Sequence, residues 1–389
     1  MKSANSLMSS LGTTVFEVMS ALAREHKSVN LGQGFPDDKG PDEVRAAAAD
    51  YLLNGHNQYP PMMGIPELRQ AVAEHAKRFQ GLDVDWQSEV LVTSGATEAL
   101  GDCLLGLIEP GDEVVLIEPL YDSYLPMVRR AGGIPKLVRL EPPSWRLPKD
   151  ELAAAFSDRT KLILFNTPMN PCSKVFDEAE LDFIAGLCLK HDAYAICDEV
   201  YEHIIFDDRR HVSLMTRPDM RNRTVRIGSA GKSFSLTGWK VGYITAAPDL
   251  MRAIAKTHQF MTFTTPPNLQ WGAATGLRLG DGYFEGLAQD MQRKRDRLAG
   301  ALSEIGFEVL PAHGTYFVTT DFRPLGFNGT DEDFCRHITV EAGVTAVPVS
   351  AFYDESVQAP RHFARFCFCK HDATLDSAVE RLAAHFRGR

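Results

Sequence analysis

Lys232 stands in a run of small residues, Gly228 to Ser233, directly after the apolar stretch Val225–Ile227. Gly231, Lys232 and Ser233 suggest a phosphate-binding P-loop, but that motif needs a further glycine at position 226, where Arg226 stands. The spacing instead puts an amine on a tight turn beyond a buried strand. A hydroxyl, Ser229, lies three residues before it, and a second cation, Lys240, lies eight after. Small residues let a bulky planar group approach the backbone. An amine desolvated near another cation stays reactive enough to form an imine with an aldehyde. Ser229 and Lys240 offer a donor and a point charge suited to a phosphate.

Other residues of chemical interest fall at the ends of other strand-like runs. Asp198 closes Ala193–Cys197, at the edge where open α/β sheets bind ligands. A carboxylate buried there needs a cation, and a protonated pyridine nitrogen is one; a helix N-cap aspartate fits the same position. Tyr201, three residues on, is placed to reach a phenolic oxygen. Asn170 sits in a turn fixed by Pro168 and Pro171 after Lys161–Phe165, and also fits an ordinary Asn-Pro turn. Gly95, Ala96 and Thr97 open a helix after Val90–Thr93, so their N–H groups form an anion cradle or a plain cap. Tyr121, after Glu113–Ile117, can stack on a flat ring or fill a core. Arg365 interrupts the apolar run His362–Cys369, where its fork demands a carboxylate from a ligand or from elsewhere in the chain.

The intervening elements account for this alignment. The five strand-like runs, ending with Val225–Ile227, alternate with helical patterns at Thr97–Leu107, Tyr124–Ala131 and Asp177–His191. Alternation predicts an α/β fold: a mostly parallel central sheet with helices on both faces. Beyond it, a helical pattern from Tyr283 to Ile305 stops at Gly306. Candidate strands Phe307–Leu310, Tyr316–Thr319 and His362–Cys369 and a last helix, Ala373–Phe386, read as a smaller α+β domain. The expected division is an N-terminal arm (1–36) belonging to neither sheet and packing with the small domain, a large domain (37–282) and a small domain (283–389).

Composition narrows the classes. A chain of 389 residues with 44% hydrophobic content buries a large core, and a net charge of −10 without a basic stripe argues against a nucleic-acid partner. No apolar run reaches membrane-spanning length, and the polar N-terminus lacks the pattern of a secretory signal, so a cytoplasmic protein is expected. The seven cysteines form no CxxC pair and read as buried free thiols; the histidines show no metal-ligand spacing, so no metal is expected.

Taken together, from Asn30–Pro36 through the motif around Lys232 to Arg365–Phe368, the chain resembles the fold-type I pyridoxal-phosphate enzymes of the class I/II aminotransferase family. It is most similar to the branch of kynurenine/glutamine and methionine aminotransferases. The resemblance implies pyridoxal 5'-phosphate tethered to Lys232 as a Schiff base, Asp198 on the pyridinium nitrogen, and Asn170 and Tyr201 on the ring hydroxyl. It implies Gly95, Ala96, Thr97, Ser229 and Lys240 at the phosphate, with Tyr59 reaching the phosphate of a partner subunit, and Tyr121 stacked on the ring. Arg365, Asn170 and Gly34 would take the substrate's α-carboxylate. Phe263 and Thr264 would come from the partner, and Phe16, Tyr121, Phe263 and Phe352 suggest an apolar or aromatic side-chain pocket. The implied activity is ping-pong exchange of an amino group between an L-amino acid and a 2-oxo acid in a homodimer with shared sites. Methionine, aromatic amino acids, kynurenine or glutamine are favoured; β-elimination from cysteine conjugates and aspartate-type transamination stay open.

Overall fold

The computed structural model describes residues 2–354 and 358–386. Among these residues, thirteen strands form three sheets. The largest contains β2 (Val90–Thr93), β3 (Glu113–Glu118), β4 (Ile134–Arg139), β5 (Thr160–Asn166), β6 (Tyr194–Asp198), β7 (Thr224–Ser229) and β8 (Gly242–Thr245), in the order β2-β8-β7-β6-β5-β3-β4. β4, β3, β5, β6 and β7 run parallel, while β8 is antiparallel to both β7 and β2. β2, β3 and β7 are buried at every residue, as strands covered by helices on both faces must be.

Five of these strands lie where the sequence predicts them, within a residue or two. β4 and β8 do not appear in that reading. β4 is an edge strand in which only Val138 is fully buried, so its sequence lacks the apolar run of an interior strand. β8 is four residues long and opens on a glycine. The helix of the 177–191 pattern spans Glu178–Lys190, with Asp177 and Glu180 closing a capping box. The long helix starts at Asp281 and ends against Gly306, whose φ of 119° is the left-handed cap expected there.

A four-stranded antiparallel sheet in the order β12-β13-β10-β9 carries the C-terminal part: β9 (Glu308–Val309), β10 (Phe317–Asp321), β12 (Val347–Pro348) and β13 (Phe363–Cys367). The N-terminal segment joins neither large sheet. Its two-residue β1 (Val29–Asn30) pairs in parallel with β11 (Val344–Thr345), and the helix Val15–His26 packs on β11 and β12. All seven cysteines are buried and free, and Cys367 Sγ lies 3.1 Å from Cys369 Sγ. No described helix is long and apolar enough to cross a membrane.

Candidate active site

Register aligns the first part of the site. Asn166 on β5 is paired with Asp198 on β6, and Asp198 with Ile227 on β7, so these ends form one row at the carboxyl edge of the sheet. Asn166 Nδ2 donates to the carbonyl of Asp198 at 2.7 Å, and Asn166 Oδ1 accepts the Asn170 N–H at 2.7 Å. One side chain thus locks both the strand end and the turn.

The antiparallel β8 supplies the second part. Because it runs against its neighbours, its first residues lie at the edge where the other strands end. Gly242 is paired with Thr93 on one side and Ser229 on the other. This brings Lys240, two residues upstream, to the start of the helix Gly95–Leu107. A Cβ on Gly95 would lie 3.2 Å from Lys240 Nζ, so the ammonium sits directly over the first residue of the anion cradle. Gly95 has φ +78°, a conformation that favours glycine.

Asp198 is buried. Its Oδ2 accepts the hydroxyl of Tyr124 at 2.6 Å and its Oδ1 the N–H of Val200 at 3.3 Å. No cation lies within ion-pair distance of it among the described residues. Burial pushes its pKa up to about 6, against the hydrogen bonds from Tyr124 and Val200. No α-helix starts at Asp198, so the capping role has no helix to cap.

Lys232 occupies a one-turn helix, Ala230–Ser233, directly after β7. Its Nζ donates to Tyr316 Oη at 2.9 Å, and that hydroxyl donates to the carbonyl of Gly34 at 2.7 Å. Desolvation lowers the lysine's pKa, opposed by Cys369 and Asp198. Arg365 is 1% exposed on β13, opposite Thr319. It donates to Asn170 Oδ1 and to the carbonyl of Gly32, each at 2.7 Å, while its Nε has no hydrogen-bond partner. No carboxylate pairs with it among the described residues, and burial lowers its pKa to about 10. The guanidinium lies 3.9 Å from the centroid of Phe317.

Thirteen of the seventeen residues singled out in the sequence line one cavity: Phe16, Gly34, Gly95, Ala96, Thr97, Tyr121, Asn170, Asp198, Tyr201, Ser229, Lys232, Lys240 and Arg365. Phe352 does not. It turns into the core at 2% exposure and packs edge-on behind Phe16, ring centroids 5.7 Å apart. Tyr59 and Phe263 lie outside the cavity, in contact with each other at 5.6 Å on a separate surface where Tyr59 is 82% exposed. Thr264 lines the same surface depression as Tyr59. Sequence reasoning missed Tyr124, Tyr316 and Asn166. Asn166 ends a strand beside two prolines and was discoverable; Tyr124 and Tyr316 read as core aromatics and gain meaning only from their partners in space.

The donor set fits pyridoxal 5'-phosphate. A buried carboxylate without a cation suits a protonated ring nitrogen, an amine stands in the same cavity, and an ammonium over a helix N-terminus suits a phosphate.

Comparison with known proteins agrees. The model of the aminotransferase class I and II family matches residues 26–382. The methionine aminotransferase of Escherichia coli is 41% identical over 96% of both chains. The kynurenine–oxoglutarate transaminase 1 of Homo sapiens is 38% identical over 93% of both. The solved structure of the E. coli protein reported with a methionine aminotransferase function superposes with a TM-score of 0.95, covering 99% of this chain and 100% of that one. The chain therefore belongs to the class I and II aminotransferases, transferases that use pyridoxal 5'-phosphate.

Proposed function

We propose that this aminotransferase acts on L-amino acids with apolar or aromatic side chains, of the methionine or kynurenine type, with a 2-oxo acid as acceptor. The observation that carries this reading is the cation inventory of the cavity. Its lining cations are Lys232, Lys240 and Arg365, and the chemistry assigns each a task. None is left for a second carboxylate, while Phe16, Tyr121 and Phe317 offer apolar walls. Relatives named for methionine and kynurenine support the same class.

When bound, pyridoxal phosphate supplies the aldehyde that captures the amino group and the protonated ring that withdraws electrons from Cα. Lys232 is the amine that tethers it. The carboxylate of Asp198 holds the ring nitrogen protonated, Asn170 and Tyr201 bind the ring hydroxyl, and Tyr121 covers the ring. The N–H groups of Gly95, Ala96 and Thr97 hold the phosphate with Ser229 and Lys240. Arg365 takes the substrate's α-carboxylate with Asn170 and Gly34, which fixes Cα within reach of Lys232. Lys232 Nζ then moves the Cα proton, a step to which a positioned base contributes roughly 10²–10⁴-fold. Desolvation lowers its pKa, which favours the neutral amine that this task needs. Tyr316, bonded to Nζ, aims it.

Tyr59, Phe263 and Thr264 complete the site of a second copy in a homodimer. The same reading divides the chain at 36/37 and 282/283: the N-terminal helix packs on β11 and β12, and the helix Asp281–Ile305 packs on the last helix, Asp372–Phe386.

The test is a panel of amino acids added to the cofactor-loaded protein, read as conversion of the aldehyde to the amine form of the cofactor. Methionine and aromatic amino acids are expected to convert it faster than aspartate, and Lys232→Ala to show almost no turnover. Aspartate outpacing methionine in kcat/KM would overturn the substrate class, and an active Lys232→Ala variant the assignment of the lysine.

A further inference from the structure

A second group of buried charges lies one helical turn beyond the anion cradle. His258, on the helix Pro248–Met261, is fully buried. Its Nδ1 lies 2.9 Å from Glu98 Oε1 and 3.6 Å from Asp102 Oδ2, and its Nε2 lies 3.1 Å from the carbonyl oxygen of Met62. A carbonyl oxygen only accepts, so Nε2 carries a hydrogen. The Nδ1 atom faces two carboxylates. Glu98 is held ionised: burial opposes this, but hydrogen bonds from His258, Thr262 and the Ser94 N–H prevail and lower its pKa. Nδ1 therefore carries a hydrogen as well, and the ring is an imidazolium. Consistently, the neighbouring carboxylates of Glu98 and Asp102 outweigh burial and raise the pKa of His258 to about 9.

The two contacts of this ring lead to different segments, and its backbone carbonyl holds a third. Through its second oxygen, Glu98 accepts the N–H of Ser94, the residue immediately before Gly95. Met62 belongs to the loop that carries Tyr59, and its neighbour Met63 accepts the N–H of Val92 on β2. The backbone carbonyl of His258 accepts from Thr262 at 3.1 Å and Phe263 at 2.8 Å. Charge matters as much as geometry. Glu98 places a carboxylate in the first turn of the helix whose N-terminus faces the cavity, where it repels a phosphate. A cation bonded to Glu98 offsets that repulsion.

We propose that His258 is a positioning residue which, as an imidazolium, ties the cradle at Ser94–Thr97 to the Tyr59 loop, and thereby sets the site's affinity for the cofactor's phosphate. This rests on the reading of the cavity as a pyridoxal-phosphate site.

Nitrogen NMR of selectively labelled histidine in the unaltered holoenzyme is expected to show one buried imidazole protonated on both nitrogens at neutral pH. Equilibrium titration of the variants with pyridoxal phosphate, followed by the cofactor's absorbance, tests the consequence. His258→Leu loses both ties and the charge, and its affinity is expected to fall about tenfold or more. His258→Asn keeps a donor toward Glu98, and His258→Gln keeps one toward Met62. Both are expected to bind more weakly than the unaltered protein and more tightly than His258→Leu. If His258→Leu does not fold, the other two carry the comparison. A ring protonated on one nitrogen alone, or folded variants with lower urea midpoints and undiminished affinity, would overturn the role of His258. Failure of the unaltered protein to bind pyridoxal phosphate would overturn the reading of the cavity, and this role with it.

Discussion

Asp198 and Arg365 are buried charges that meet only neutral groups among the described residues. An unpaired charge in a protein interior costs several kcal/mol, and removing one partner of a buried pair costs about 3–5 kcal/mol. Neutral donors and acceptors offset part of the cost, and in the proposed function cofactor and substrate bring the opposite charges. Tyr124→Phe should therefore lower kcat/KM by about 10–100-fold, since a hydrogen bond to a charged group contributes about 1.5–3 kcal/mol; steady-state kinetics with the cofactor saturating will measure it. The pKa of Asp198 in the folded chain lies above its unfolded value of 3.8, at about 6. The folded apoprotein thus holds this proton more tightly than the unfolded chain, and the residue's contribution to stability is lost as pH rises from about 4 through about 6. Relative to the parent, the Asp198→Asn apoprotein should gain about 3 kcal/mol between about pH 4 and about pH 7, because each pH unit separating the folded and unfolded values is equivalent to about 1.36 kcal/mol. A urea-unfolding difference that does not change over that interval would contradict the assignment.

Elements turn these residues into a constellation. The parallel strands bring Asn166, Asp198 and Ser229 to one edge, and the antiparallel β8 delivers Lys240 and closes the cradle. Its point of closest approach is Gly242, where an added Cβ would stand 2.6 Å from the backbone carbon of Gly95 and 2.8 Å from the nitrogen of Ala96. Backbone cannot rotate aside as a side chain does, so Gly242→Ala must push the cradle away. Overpacking of this kind costs about 1–3 kcal/mol. The expected outcome is a folded protein with a lower melting temperature and pyridoxal-phosphate affinity weakened by about tenfold or more, checked by calorimetry and cofactor titration. Unchanged affinity would show that the cradle tolerates displacement.

Across the molecule, the surface around Tyr59 gathers exposed apolar side chains. Phe260 is 79% exposed, Met261 66% and Phe263 42%, beside the 82% exposed Tyr59. Clustered apolar exposure of this kind marks an interaction surface. It supports the proposed homodimer, in which these residues are covered and Tyr59 reaches the neighbouring site. Phe260→Glu places a charge in that contact and should shift sedimentation from dimer toward monomer with a parallel loss of activity. A fully active monomer would remove the case for shared sites.

Much of this was legible in the chain because local chemistry and local structure coincide. Lys232, Asp198, Asn170 and the Gly95–Thr97 turn each follow an apolar strand with recognisable punctuation, and the order of strands and helices is set by hydrophobic periodicity. What lacked a local signal was decided by packing. β8 is too short and β4 too exposed to announce themselves, and the direction of β8 depends on which neighbours it pairs with. Tyr124, Tyr316 and His258 are aromatic residues on ordinary elements, and only partners brought from 74, 84 and 160 positions away give them roles. Residue types and strand punctuation therefore marked the groups proposed to do the chemistry, while tertiary structure alone decided which charges go without a counter-ion, because burial and pairing depend on atoms distant in sequence.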